Sequence, residues 1–241
     1  MFSSKEKRRL IVVLLSIGLV TGIYNYSNYS GVVNTDSRIS QYIVEETSEI
    51  TDNHEQSSNS PAVLKKYAKL YEANNDLVGF IYLDNDHKYP VVQRKDDQNY
   101  YLYRNFFGEE LKSGSIFLNS QCNLGDKGIS LIYGHHMKDN SMFGSIDKLI
   151  PQSTLQLDTI YKSYKYEVVA SCICNLNDDF KYYSYLGDLS SYDFEVWKQN
   201  MVSHLIRGSL DSLNKDDVIV ELSTCSYKHD GDRYIVILKE V

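Results

Sequence analysis

The sequence predicts a mainly β domain, an antiparallel barrel or sandwich of about eight strands. Eight short runs rich in aromatic and β-branched residues carry that expectation: "VGFIYL" (78–83), "YPVVQ" (89–93), "SIFLN" (115–119), "ISLIYG" (129–134), "TLQLDT" (154–159), "YKYEVVASCIC" (164–174), "VIVELSTC" (218–225) and "RYIVILKEV" (233–241). Gly, Asn and Asp punctuate the gaps between them, as turns require. Strand-like and helix-like periods do not alternate regularly, which argues against a doubly wound sheet.

The amino end has a different character. Lys5, Lys7, Arg8 and Arg9 precede an uncharged apolar run from Leu10 to about Tyr24. A basic flank before an apolar stretch is the pattern of a signal anchor or a signal peptide. The run is shorter than the roughly 20 residues that span a bilayer comfortably; Tyr24, Tyr26 and Tyr29 can extend it as interfacial anchors. No small-x-small cleavage site follows, only "NYSNYS", so an uncleaved anchor is favoured over a cleaved signal. The expected organisation is a cytoplasmic basic flank (1–9), a transmembrane signal anchor (10–24), a polar tether (25–60) and a folded domain (61–241) outside the cytoplasm. The tether is rich in Ser, Asn, Thr and Glu, and its scattered Ile39, Tyr42, Ile43 and Ile50 suit a partial helix.

Ser60 and Pro61 read as the N-cap and first position of a helix ending near Asn74, with Val63, Leu64, Tyr67, Leu70 and Tyr71 on one face. Two further helices interrupt the strands. "SMFGSIDKLI" (141–150) is short. "SYDFEVWKQNMVSHLIRG" (191–208) carries Phe194, Trp197, Met201, Leu205 and Ile206 as a packing stripe, with a Ser190/Asp193 capping box and Gly208 as its C-cap.

Composition removes several function classes. A net charge of −7 leaves nothing to neutralise a run of phosphates, so no nucleic-acid partner is expected. The four cysteines, Cys122, Cys172, Cys174 and Cys225, include no C-x-x-C pair, so no metal centre is expected. Cys172 and Cys174 face the same side of one strand, a poor geometry for a mutual disulfide. Cys122, Cys172 and Cys174 read as small packing residues, and His54, His87, His204 and His229 as surface or satisfied histidines.

Three features remain. "IYGHHM" places His135 and His136 just past a strand, "LSTC" ends a strand at Cys225, and Arg233 opens the last strand eight residues later. If the last two strands form a hairpin, Arg233 approaches Cys225 across the pair. The combination is chemically sensible. A free thiol is only a few per cent thiolate at neutral pH. An imidazolium beside it favours the thiolate and can protonate a leaving amine. A guanidinium holds a carbonyl or an oxyanion without titrating.

"LSTC" followed by Arg233, with "YGH" upstream, resembles the sortase signature, and the fuller likeness is to class B sortases. "YGHHMKDNSMFGSIDKL" resembles that class's histidine segment and "NYYLYRNFFGEELKSGSIFLN" the segment before it. The 191–208 helix falls where class B members carry an extra helix before the cysteine strand. The resemblance covers roughly 61–241 and implies a closed β-barrel with an N-terminal helix and that inserted helix. It further implies Cys225 as nucleophile, His135 as acid/base and Arg233 as substrate or oxyanion clamp. His136 points the other way at the strand end and reads as structural. Leu102, Ser223, Thr224 and Tyr185 are candidates for the peptide groove, and the Ser226 N–H for an oxyanion donor. Where some class B members carry Asn, four residues before Leu102, this chain has Gln98 with Asn99 beside it, and neither is assigned a role.

The implied activity is a membrane-anchored cysteine transpeptidase of the Gram-positive surface, needing no cofactor. It would cleave a sorting motif of LPxTG or NPxTN type after Thr and pass the acyl group to an amine of peptidoglycan or its lipid-linked precursor. Its partners would be surface proteins bearing that signal, the wall precursor and the membrane. A papain-like peptidoglycan hydrolase also uses Cys and His, but normally places Cys at a helix start, upstream of His. A non-catalytic binding module would need none of the three residues.

Overall fold

The computed structural model describes residues 4–43, 62–226 and 228–241. It forms two compact units, Met1–Gln41 and Tyr42–Val241. The first holds all but the last residue of one long helix, α1 (Ser4–Tyr42), which runs through the apolar segment and well into the stretch read as tether. Its Val13, Leu14, Ile17, Val20 and Ile23 side chains are exposed. The spanning reading of 10–24 gains no support here: among the described residues no helix is long and apolar enough to cross a membrane. The side chains of residues 1–12, the rest of the tether, Pro61 and His54 lie outside the described residues.

The second unit is a closed barrel. Its strands are β1 (Leu77–Tyr82), β2 (Lys88–Val92), β3 (Ile116–Leu118), β4 (Gly128–Tyr133), β5 (Thr154–Thr159), β6 (Lys165–Asn175), β7 (Leu205–Gly208), β8 (Val218–Cys225) and β9 (Asp232–Glu240). They pair in the order β5-β1-β2-β3-β4-β8-β9-β6, and β5 pairs with β6 to close eight strands into a ring, with β7 added outside β6. All eight expected strands are present, and closure decides for a barrel over a sandwich. The barrel is not wholly antiparallel: β2–β3 and β4–β8 are parallel pairs. Each is joined by a long crossover, which parallel pairing demands. The strand β8 is buried almost end to end, and β9 continuously over Ile235–Leu238, rather than alternately, because both of their faces are covered there.

Three elements differ from expectation. The helix α2 spans Lys65–Ala73, starting after Leu64, whose N–H is donated to the Ile160 carbonyl at 2.8 Å. The 141–150 segment is not a helix but a loop with one 3₁₀ turn, Ile146–Lys148. The loop folds back on itself: Phe143 donates its N–H to the His135 carbonyl (3.0 Å), and His136 and Met142 form a bridge. The inserted helix α3 spans Ser191–Ser203 and has the expected cap, the Ser190 hydroxyl accepting the Asp193 N–H. It buries Phe194, Trp197 and Met201, then stops at His204. Leu205 and Ile206 do not extend the stripe; Leu205–Gly208 is β7, paired with β6 from Ala170 to Cys172. There β6 has parted from β5, whose pairing covers only Lys165–Glu167, and its open edge takes up β7 instead. Gly208 is therefore a strand-end residue. Its φ of +83° and the Val169 carbonyl where a Cβ would fall explain the glycine.

Candidate active site

Three strand ends meet at one end of the barrel. In the β8–β9 hairpin, Cys225 sits directly opposite Arg233. In the parallel β4–β8 pair, Tyr133 is level with Ser223. The ladder runs one residue further, since Gly134 donates its N–H to the Ser223 carbonyl at 3.2 Å. His135 is thereby level with Cys225. Side chains alternate along strands, so Tyr133, His135, Ser223 and Cys225 share one face. The Thr224 hydroxyl ties the two strand ends by donating to the Gly134 carbonyl (2.7 Å).

These residues line a cavity of about 370 Å³. Cys225, His135, Arg233, Leu102, Ser223 and Thr224 all border it. Tyr185 does not: its ring packs against Phe180, centroids 5.6 Å apart. Tyr182 and Tyr183 face the cavity instead. Ser226 is also outside the lining, and its N–H is donated to the Asp232 carbonyl at 2.9 Å, which commits it to the hairpin. His136 lies outside the lining as well.

His135 is held from the far wall. Its Nε2–H is donated to the Leu102 carbonyl at 2.8 Å. The Tyr103 ring lies beside the imidazole, centroids 5.4 Å apart and planes 32° from parallel. Leu102 and Tyr103 belong to a 3₁₀ turn, Tyr100–Tyr103. Arg233 is half-buried and donates from Nη1 to the Asp232 carbonyl at 3.1 Å. Asp232 is fixed in turn by Asn175 (2.7 Å) and His229 (3.0 Å), whose hydrogen bonds hold its carboxyl below the usual range.

The four thiols are all free but not alike. Burial pushes the Cys122 thiol up to about 11 and Cys174 up to about 12, and it raises Cys172 as well. Those three are inert packing residues. Cys225 alone is partly exposed. A thiol, an imidazole and a guanidinium around one cavity are the equipment of nucleophilic acyl transfer. Among the described residues no cluster of His, Cys, Asp and Glu could hold a metal ion.

Sequence reasoning left out several residues of the lining. Gln98, Asn99, Phe117, Leu176, Tyr182 and Tyr183 border the cavity. Gln98 and Asn99 were legible as neighbours of a known position. The "YYSY" tyrosines were not, because Tyr182–Ser184 is a 3₁₀ turn with no strand alternation to say which ring points in.

A closed barrel with this cavity defines a cysteine acyl-transfer enzyme in type, and similarity to known proteins makes it particular. The family model of the Sortase domain matches residues 85–241. Sortase B of Listeria monocytogenes is 27% identical over 232 residues, covering 92% of each chain. A Bacillus anthracis structure described as similar to sortase B is 30% identical, with a TM-score of 0.64, over 78% of this chain and 87% of that one. A Staphylococcus aureus sortase B–substrate complex is 26% identical, with a TM-score of 0.64, over 74% and 86%. The chain belongs to the sortase family and, within it, to the class B cysteine transpeptidases.

Proposed function

We propose that Cys225, His135 and Arg233 carry out transpeptidation of a C-terminal sorting signal through a thioester. The observation that supports it is the meeting of these three side chains at one cavity on the common end of β4, β8 and β9. The Cys225 thiolate attacks the carbonyl carbon of the Thr in an LPxTG- or NPxTN-like motif. Arg233 holds the substrate or the oxyanion of the tetrahedral adduct, where a fixed donor is worth most. Protonated His135 gives its proton to the leaving amine, the C–N bond breaks, and the acyl group remains on sulfur. An amino group of peptidoglycan or its lipid-linked precursor then attacks the thioester, loses its proton to His135 and releases Cys225. A Staphylococcus aureus relative was solved as a sortase B–substrate complex, which supports substrate binding by this chain as well. A papain-like hydrolase fits worse, since Cys225 ends a strand and lies downstream of His135.

The test is to incubate the full chain with fluorogenic sorting peptides and an amine acceptor. A mass increase on Cys225 equal to the acyl fragment is expected, with turnover lost in Cys225→Ala. Turnover by Cys225→Ala at the parental rate would remove the mechanism.

The amino end completes the proposal: a single-pass anchor at 10–24 with the barrel outside the cell. Four cations ahead of fifteen uncharged residues support it. The full chain should resist carbonate extraction from membranes while a 25–241 fragment is released. Release of both would dismiss the anchor.

A further inference from the structure

Gly114 lies outside the cavity lining, yet it touches the group that holds His135. The 3₁₀ turn Tyr100–Tyr103 spends its consecutive carbonyls in alternate directions. Tyr101 accepts from Ser115 N–H (3.1 Å) and Tyr103 from Leu111 N–H (2.9 Å), both on the returning segment. Leu102, between them, points its carbonyl at His135 Nε2. The returning segment makes this possible through Gly114. Its φ is +57°, and a Cβ there would fall on the Leu102 carbonyl oxygen and 2.7 Å from the Tyr101 one. Both neighbours are backbone, so neither can swing aside as a side chain would.

The turn is braced from its other side too. The Arg94 guanidinium stacks over Tyr100 at 3.7 Å and binds Asp76 at 2.7 Å. Asp76 also accepts the Tyr101 hydroxyl at 2.7 Å. With the turn fixed, displacement of the Leu102 carbonyl must be felt at the imidazole.

We propose that Gly114 is a positioning residue for His135: it leaves room for the Leu102 carbonyl, which keeps the proton of the neutral imidazole on Nε2 and makes Nδ1 the atom that exchanges protons in the cavity. Tyr103, whose ring lies beside the imidazole with centroids 5.4 Å apart, is the second positioning residue. In the acylation step the proton leaves Nδ1 of the imidazolium for the amine nitrogen, and the ring is left neutral with Nε2–H still bound to Leu102. This inference rests on the proposed role of His135.

The experiment uses the full chain in detergent micelles, ¹⁵N-labelled at histidine, with the His135 signals assigned by His135→Gln. In the parent, the neutral imidazole of His135 should be the Nε2–H tautomer. In Gly114→Ala that tautomer should be lost, with kcat down about tenfold or more, within the range of general acid–base catalysis, and KM little changed. Tyr103→Ala should shift the pH profile of kcat and lower it, and Tyr103→Phe should restore both. An Nδ1–H tautomer in the parent overturns the proposal, as does parental kcat in a folded Gly114→Ala. If Gly114→Ala does not fold, the parent tautomer and the Tyr103 pair decide. The tautomer is read without turnover, so a chain that cleaves no sorting peptide leaves this test intact and fails the functional proposal separately.

Discussion

Two walls of one cavity are built by different means. Tyr133, His135, Ser223, Cys225 and Arg233 stand on β4, β8 and β9 or two residues beyond, where hydrogen-bond register fixes each against the next. Gln98, Asn99, Leu102, Leu176, Tyr182 and Tyr183 stand on 3₁₀ turns and connections, where individual bonds such as Tyr182 hydroxyl to Ser223 Oγ (2.9 Å) hold them. In the proposed reaction the ladder wall carries the groups that change covalent bonds or charge, and the loop wall offers amides and aromatic rings for recognition. A ladder cannot drift without breaking many backbone bonds, whereas a turn can vary with little effect on the barrel. That division predicts large, kcat-centred losses on the first wall and modest, KM-centred ones on the second.

The larger effect belongs to Arg233. Lysine would preserve the charge but not the planar fork that can grip an oxyanion while bonded to the Asp232 carbonyl. Loss of a transition-state donor costs about 10²–10³-fold in kcat, and Arg233→Lys should approach the lower figure in steady-state assays with a sorting peptide. A loss below threefold would remove the clamp role and with it the claim that this wall holds the chemistry.

Next comes the interior of the ladder wall. Glu221 shares the strand face of Ser223 and Cys225 and is fully buried. It accepts the Trp197 indole N–H from α3 at 2.9 Å, while Oε2 has no partner among the described residues. Burial pushes its carboxyl up to about 8. A carboxyl raised on folding favours the folded state fully below its unfolded value near 4.5, and that advantage is lost as pH climbs through about 8. Urea denaturation should therefore show stability falling between pH 5 and 8, by on the order of a few kcal/mol. Glu221→Gln keeps the acceptor for Trp197 and removes the titration, so its profile should be flatter by that amount. Equal slopes in the two proteins would clear Glu221 as the cause.

The same contrast explains what the sequence disclosed. The hairpin that faces Arg233 to Cys225 follows from two apolar runs and a short polar loop, and the structure pairs them in that register. Strand alternation says that only one of His135 and His136 can face the cysteine, and the likeness of "YGH" to the sortase segment says that it is His135. Where period carried no information, reading failed. Leu205 and Ile206 fit the α3 stripe by spacing, but the open edge of β6, a tertiary demand, claims those residues as β7. The 141–150 segment has helix-like spacing, yet Asn140 and Met142 take φ of 66° and 53°, and the loop closes on His135. The parallel pairs were hidden because crossovers of that length do not announce which strand they return to. Gly114 carries no sequence signal of its own, because what demands a glycine there is the Leu102 carbonyl, a contact made only in the fold.

The smallest expected effect tests the loop wall within a single turn. Tyr183 borders the cavity, whereas Tyr185, two residues on, spends its ring on Phe180. A ring that covers part of a bound peptide is worth on the order of 1.5 kcal/mol through buried area and aromatic contact. Tyr183→Ala should accordingly raise KM for the sorting peptide about tenfold with kcat nearly unchanged. Tyr185→Ala should lower the melting temperature by loosening Phe180 and leave KM within about twofold, since ground-state binding would lose no contact. If Tyr185→Ala raises KM as much as Tyr183→Ala does, the peptide reaches beyond this cavity, and the recognition wall extends past the residues that line it here.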